Sequence, residues 1–101
     1  MINIPQAFNL CSPRSGNNVP NQIVVITNEG AFLQSYGTTI AYKPKGVFSQ
    51  DTVYIDENYW DDSRTTKKYL NIWLESLGKP KANTTSQVTC CRVLQWKDLN
   101  P

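Results

Sequence analysis

The stretch Ser63–Gly78, SRTTKKYLNIWLESLG, constrains this chain more than any other. Tyr69, Leu70, Trp73, Leu74 and Leu77 recur at helical spacing and fall on one face, while Arg64, Lys67, Lys68, Asn71 and Glu75 fall mostly on the other. Ser63 is placed to cap the helix, its hydroxyl accepting from free N–H groups of the first turn. Asp61 and Asp62 stand at the positive end of the helix dipole. Gly78 follows the last apolar residue and Pro80 bars continuation. Such a stripe must be buried against a second layer. Each large side chain it buries contributes roughly 1.5–3 kcal/mol before entropy is counted. Replacing Trp73 by Ala is therefore expected to unfold a domain this small.

The second layer is predicted to be a sheet. Gln22–Thr27 (QIVVIT) is rich in β-branched residues and reads as the first strand. Asn28-Glu29-Gly30 supplies hairpin chemistry, with Gly30 suited to positive φ. A second strand runs from Ala31 to about Tyr36. Gly37 implies a bulge or tight corner, and Thr38–Lys43 resumes as a third strand. Pro44-Lys45-Gly46 reads as a turn, and Thr52–Ile55 as a short strand ending at Asp56. Residues 1–20 hold Pro5, Pro13, Gly16 and Pro20 and read as an irregular N-terminal arm, with Phe8 and Leu10 docking on the core. Lys79–Asn83 reads as a polar linker. After it, Thr84, Thr85 or Ser86 is suited to cap a short helix through Cys91, and Val93–Trp96 suits a closing strand equally well. The expected fold class is α+β: a small antiparallel sheet (three to five strands) with one main helix packed on one face. The arm at 1–20 precedes a single α+β domain at 21–101.

Several classes of chemistry are excluded by composition. The chain has 101 residues, enough for one small core. It has no histidine, which removes Ser-His-Asp triads, Cys-His dyads and histidine metal sites. Its net charge of +2 names no partner by itself. No G-x-x-x-x-G-K-[ST] or G-x-G-x-x-G phosphate cradle is present. The opening MINIPQAFNL does not read as a signal peptide, and no run approaches the ~20 apolar residues of a membrane span. A soluble cytoplasmic protein is expected. Cys11, Cys90 and Cys91 are too few for an all-cysteine zinc site, and read as buried or idle thiols.

Four groups of residues remain as candidates. Asp51, Asp56, Glu57, Asp61 and Asp62 crowd one region, but their spacing fits no EF-hand loop, so charge compensation at the helix start and a solvated loop are favoured over a metal site. Arg64, Lys67 and Lys68, with Lys43 and Lys45 near the hairpin, form a basic set suited to phosphates. Tyr36, Tyr42, Tyr54 or Tyr59 would supply base stacking. Tyr59-Trp60 suits either packing against the helix start or an exposed interface anchor. The Ser63–Thr66 block, with Arg64, also has the makings of an anion pocket, although an internal cap is favoured.

Three segments carry a resemblance. Asn21-Gln22 precedes a strand, Phe32-Leu33-Gln34-Ser35-Tyr36-Gly37-Thr38 leads to Ile40-Ala41, and Tyr59-Trp60-Asp61-Asp62-Ser63-Arg64-Thr65-Thr66-Lys67-Lys68-Tyr69 opens the helix. With Asp98-Leu99-Asn100 near the end, these segments resemble a family of short bacteriophage and prophage proteins without assigned function. The resemblance spans roughly residues 19 to 100 and implies a phage origin and a small α+β domain. It transfers no catalytic residue.

The expectation is a non-catalytic phage accessory protein that binds a bacterial host protein or assembly in the host cytoplasm. Counter-defence, including inhibition of a CRISPR complex, is one version. Partner contacts are assigned to Arg64, Lys67, Lys68, Asn71, Tyr59 and Trp60. The alternative is a nucleic-acid-binding protein using Lys43, Lys45, Arg64, Lys67, Lys68 and Tyr36. No catalytic residue, cofactor, metal or membrane contact is expected.

Overall fold

A computed structural model describes residues 6–12, 14–45 and 52–100. The elements are β1 (Gln6–Cys11), β2 (Asn18–Thr27), β3 (Gly30–Ser35), β4 (Thr38–Pro44), β5 (Val53–Asp56), α1 (Arg64–Ser76), α2 (Thr85–Thr89) and β6 (Leu94–Lys97). All six strands join one sheet in chain order. The pairs from β1 to β5 are antiparallel, but β6 runs parallel to β5, with Val53 opposite Leu94 and Ile55 opposite Trp96.

The expected antiparallel sheet of three to five strands with one helix is thus corrected to a six-stranded mixed sheet with two helices. Two misreadings produce the difference. The first lies in the supposed irregular arm, where Gln6–Cys11 forms β1 against β2. Pro20 does not prevent this. It sits in the early part of β2, before Gln22, where pairing with β3 begins, so the N–H that proline lacks is not required by an inner ladder. The second is at the C-terminus, where the short helix and the closing strand both form. A strand parallel to its neighbour needs a crossover connection, and α1, α2 and their linkers provide it.

The hairpins follow their turn residues. Thr27 pairs with Gly30, leaving Asn28-Glu29 as a two-residue turn in which Thr27 Oγ1 accepts from the Glu29 N–H at 3.1 Å. Gly30 has φ +145°, and a Cβ there would fall on the Lys43 carbonyl. Ser35 pairs with Thr38 around Tyr36 (φ 52°) and Gly37 (φ 81°), so the tight corner takes two consecutive positive-φ residues, as the twist of a hairpin prefers. The bulge lies one step later, at Ile40, between Thr39 and Ala41. In the Pro44-Lys45-Gly46 turn, Gly46 lies outside the described residues, and so does Asp51 of the carboxylate group.

Helix α1 is capped as its sequence implies. Ser63 Oγ accepts from the Thr66 N–H at 3.0 Å. At the other end Gly78 (φ 71°) donates to the Glu75 carbonyl at 3.0 Å and Lys79 to the Leu74 carbonyl at 2.9 Å, a complete glycine-terminated stop. Tyr69, Leu70, Trp73 and Leu74 are buried. They join Val24, Leu33, Ala41, Val53, Ile55 and Leu94 from one face of the sheet, with Val88 of α2. Both helices therefore cover the same face. Leu10 packs against this core as expected, but Phe8 is 48% exposed. Cys91 is half-buried and packs against this core, whereas Cys11 and Cys90 are exposed rather than buried.

Candidate functional site

Among the described residues, no helix lies on the opposite face of the sheet. Pairing aligns Ala7, Val25, Phe32, Tyr42, Tyr54 and Gln95 as one row across all six strands. These residues are out of phase with Val24, Leu33, Ala41, Ile55 and Leu94, because successive side chains of a strand point to opposite faces. Phe32 stacks on Tyr42 with ring centroids 4.5 Å apart and planes within 15°, and Tyr42 on Tyr54 at 6.2 Å and 19°. Lys97 Nζ sits 5.0 Å from the Tyr54 ring centre and closes the row. Val25, Phe32, Tyr42 and Tyr54 are all half-buried, and Ile23 lies beside Gln34 in the next row.

This geometry decides what the ladder presents. Tyr42 lies between Phe32 and Tyr54, so both of its faces are used, and the far side of Tyr54 meets an ammonium group. Ring edges rather than ring faces are left for a partner. The Tyr42 hydroxyl donates to the Glu29 carbonyl at 2.8 Å. Burial, then the Glu29 carboxylate and Tyr54, push the Tyr42 phenol above its ordinary value of 10.0.

The expected helix-face site is only partly present. Arg64 and Lys68 are exposed, Lys68 Nζ lying 5.5 Å from the Tyr69 ring. Lys67 and Asn71 are turned inward to the chain. Lys67 Nζ donates to the Asn83 carbonyl at 3.0 Å and lies 4.9 Å over the Trp60 ring. Asn71 accepts from the Ala82 N–H at 2.6 Å and donates to Asn83 Oδ1 at 2.7 Å. Together they fasten the 79–83 linker to α1 and seal Ala82 into the core. The aromatic pair divides: Trp60 is buried, edge-to-face on Trp96 at 5.4 Å, while Tyr59 is 42% exposed.

The residues of the nucleic-acid alternative are not gathered. Ser35 Oγ and Thr66 Oγ1 lie 2.9 Å apart, which sets the first turn of α1, with Arg64, beside the turn holding Tyr36. Lys43 and Lys45 lie at the other end of β4, and Lys43 pairs with Ala31 on the helix side of the sheet. Tyr36 is 60% exposed.

Of the acidic residues, Asp56 has a structural role, while Glu57, Asp61 and Asp62 are exposed. Asp56 is fully buried; its Oδ2 accepts from Asn58 N–H at 3.1 Å and Tyr59 N–H at 2.7 Å, and its Oδ1 from Leu99 N–H at 2.8 Å. It holds the turn after β5 and ties down the C-terminal segment. Asn100 then clasps Thr39, accepting from its N–H at 3.0 Å and donating to its carbonyl at 2.7 Å, where β5 no longer pairs with β4. Among the described residues no three cysteine or carboxylate side chains form a metal-binding group, and no helix is long and apolar enough to cross a membrane.

Residue-level reading named Tyr42 and Tyr54 but missed Phe32, Val25 and Lys97. The signal was present as adjacent apolar pairs, Phe32-Leu33, Ala41-Tyr42 and Tyr54-Ile55, in which one member goes to each face.

Fold and site define a two-layer domain, a mixed sheet with helices on one side and an uncovered aromatic row on the other. The chain belongs to a family of unknown function, DUF8033, whose family model matches residues 10–90. No curated protein and no solved structure matches it.

Proposed function

We propose that this is a non-catalytic phage accessory protein that binds a bacterial host protein, in the host cytoplasm, through the open face of its sheet. The uncovered row of Val25, Phe32, Tyr42 and Tyr54 carries this reading. Contiguous apolar surface with a polar rim is characteristic of interaction sites, and tyrosines anchor protein interfaces because they are rigid and amphipathic. The orientation of the rings favours protein over nucleic acid. Bases stack on free ring faces, whereas these faces meet one another and Lys97. The resemblance to short phage and prophage proteins directs the choice of partner to the bacterial host.

The test is affinity purification from bacterial lysate with a panel of variants, each shown by circular dichroism to be folded, with and without nuclease. Capture that survives nuclease, is lost in Val25→Arg and Tyr54→Arg, and persists in Arg64→Glu/Lys68→Glu is the expected result. Capture that needs nucleic acid, or that follows the helix-face charges instead, overturns the proposal.

A further inference from the structure

Trp60 and Trp96 form a corner away from the open face. Their ring planes meet at 65° with centroids 5.4 Å apart. The Trp96 ring is held by its own indole N–H, which donates to Thr89 Oγ1 at 3.1 Å. Beside this corner lies a cleft of about 210 Å³ lined by Glu57, Trp60, Thr85 and Trp96. The backbone of Glu57 is fixed there, its N–H donating to the Lys97 carbonyl at 3.1 Å.

From this arrangement we infer that the cleft is a binding site for an alkylammonium head group. The half-buried Trp96 ring lines the cleft beside the buried Trp60, and Trp is the best cation acceptor of the aromatic side chains. The Glu57 carboxylate adds the complementary charge. The chain already shows the chemistry at this ring: Lys67 Nζ rests 4.9 Å from the Trp60 centre without lining the cleft. The volume is below the roughly 300–1,000 Å³ of sites that enclose whole drug-sized molecules. It suits a head group, with the rest of the ligand left in solvent. The head can belong to a free methylated amine or to a lysine side chain, and the shared element is the cation.

Indole N–H signals in ¹H–¹⁵N NMR spectra of the full chain provide the test. Trp73 does not line the cleft and serves as the internal reference. Tetramethylammonium and N-acetyl-lysine methylamide are titrated separately, with 3,3-dimethylbutanol as a neutral counterpart. Saturable shifts of the Trp60 and Trp96 signals are expected with an ammonium probe, with little change at Trp73 and none from the alcohol. Glu57→Gln is expected to weaken binding about two- to fivefold, the factor an exposed ion pair supplies, and Trp96→Leu to abolish it. Tighter binding of the tetraalkylammonium identifies a methylated amine, and tighter binding of the lysine derivative a protein side chain. Absence of saturable shifts with either cation, equal binding of the alcohol, or undiminished binding in both variants overturns the assignment. None of these readouts depends on the open sheet face.

Discussion

Asp56 is expected to hold the domain together at a point that its place in a polar turn conceals. Its carboxylate accepts three backbone N–H groups, two through Oδ2 and one through Oδ1, while the side chain is shut off from solvent. Hydrogen bonds to a charged group contribute about 1.5–3 kcal/mol each. Asn58 and Tyr59 are exposed, so their freed N–H groups can turn to water, which brings the loss at those two toward the lower end. Asp56→Ala should then cost about 4.5–6 kcal/mol. A chain of this length has only about 5–15 kcal/mol in all. Asp56→Asn keeps one acceptor oxygen but turns an amino group toward an N–H donor, and should cost about 1.5–3 kcal/mol. Urea unfolding followed by far-ultraviolet circular dichroism measures both, and the midpoint should fall without a change in slope. If Asp56→Asn lies within about 0.5 kcal/mol of the parent, the three bonds do not hold this turn and the reasoning is wrong.

Gln22 is fully buried with neither side-chain amide atom partnered among the described residues, so Gln22→Met should stabilise by about 1–3 kcal/mol, and a lower melting temperature would contradict that. Gly30→Ala should cost about 1–3 kcal/mol because its Cβ meets the Lys43 backbone; Gly16→Ala, at φ 72° with open space around it, should cost less, and equal losses would refute the steric account. Tyr42 carries a raised pKa, so the fold favours its neutral phenol: that stability is complete below pH ~10 and lost as pH rises through the higher folded-state value. Absorbance at 295 nm should therefore show a late-titrating tyrosine that disappears in Tyr42→Phe and moves to lower pH in Glu29→Gln.

The legible parts of this fold were those whose signals are local. Ser63, Gly78 and the Tyr69–Leu77 stripe define α1 within a few residues, and Asn28-Glu29-Gly30 marks its hairpin in the same way. The strand β1 was hidden because Pro20 reads as a breaker unless one knows that β3 begins pairing only at Gln22. The direction of β6 was equally hidden. Parallel pairing of Leu94–Lys97 with Val53–Asp56 depends on where a 37-residue excursion returns, and no neighbouring residue records it. The site was half legible for a related reason. Lys67 and Asn71 look like free members of a polar face, and only the returning linker shows that Asn83 and Ala82 occupy them.

A single crossover explains why one sheet face stays open. β1 to β5 are all antiparallel neighbours and need no helix between them; only the step from β5 to parallel β6 does, and both of its helices lie on one side. An uncovered antiparallel face is ordinarily polar, so the Val25–Phe32–Tyr42–Tyr54 row needs a reason. Cross-strand aromatic pairs contribute about 0.2–1 kcal/mol each, which makes sheet stability a competing reason. Val25 separates the two. It sits between Ala7 and Phe32, outside the stacked rings. Val25→Arg places a charge on the open face without removing a ring. If the row serves docking, this variant keeps near-parental stability in urea and loses partner capture. If Val25→Arg captures as the parent does while Phe32→Thr and Tyr54→Thr lose stability and capture together, the ladder is a brace for the sheet and the working surface lies elsewhere.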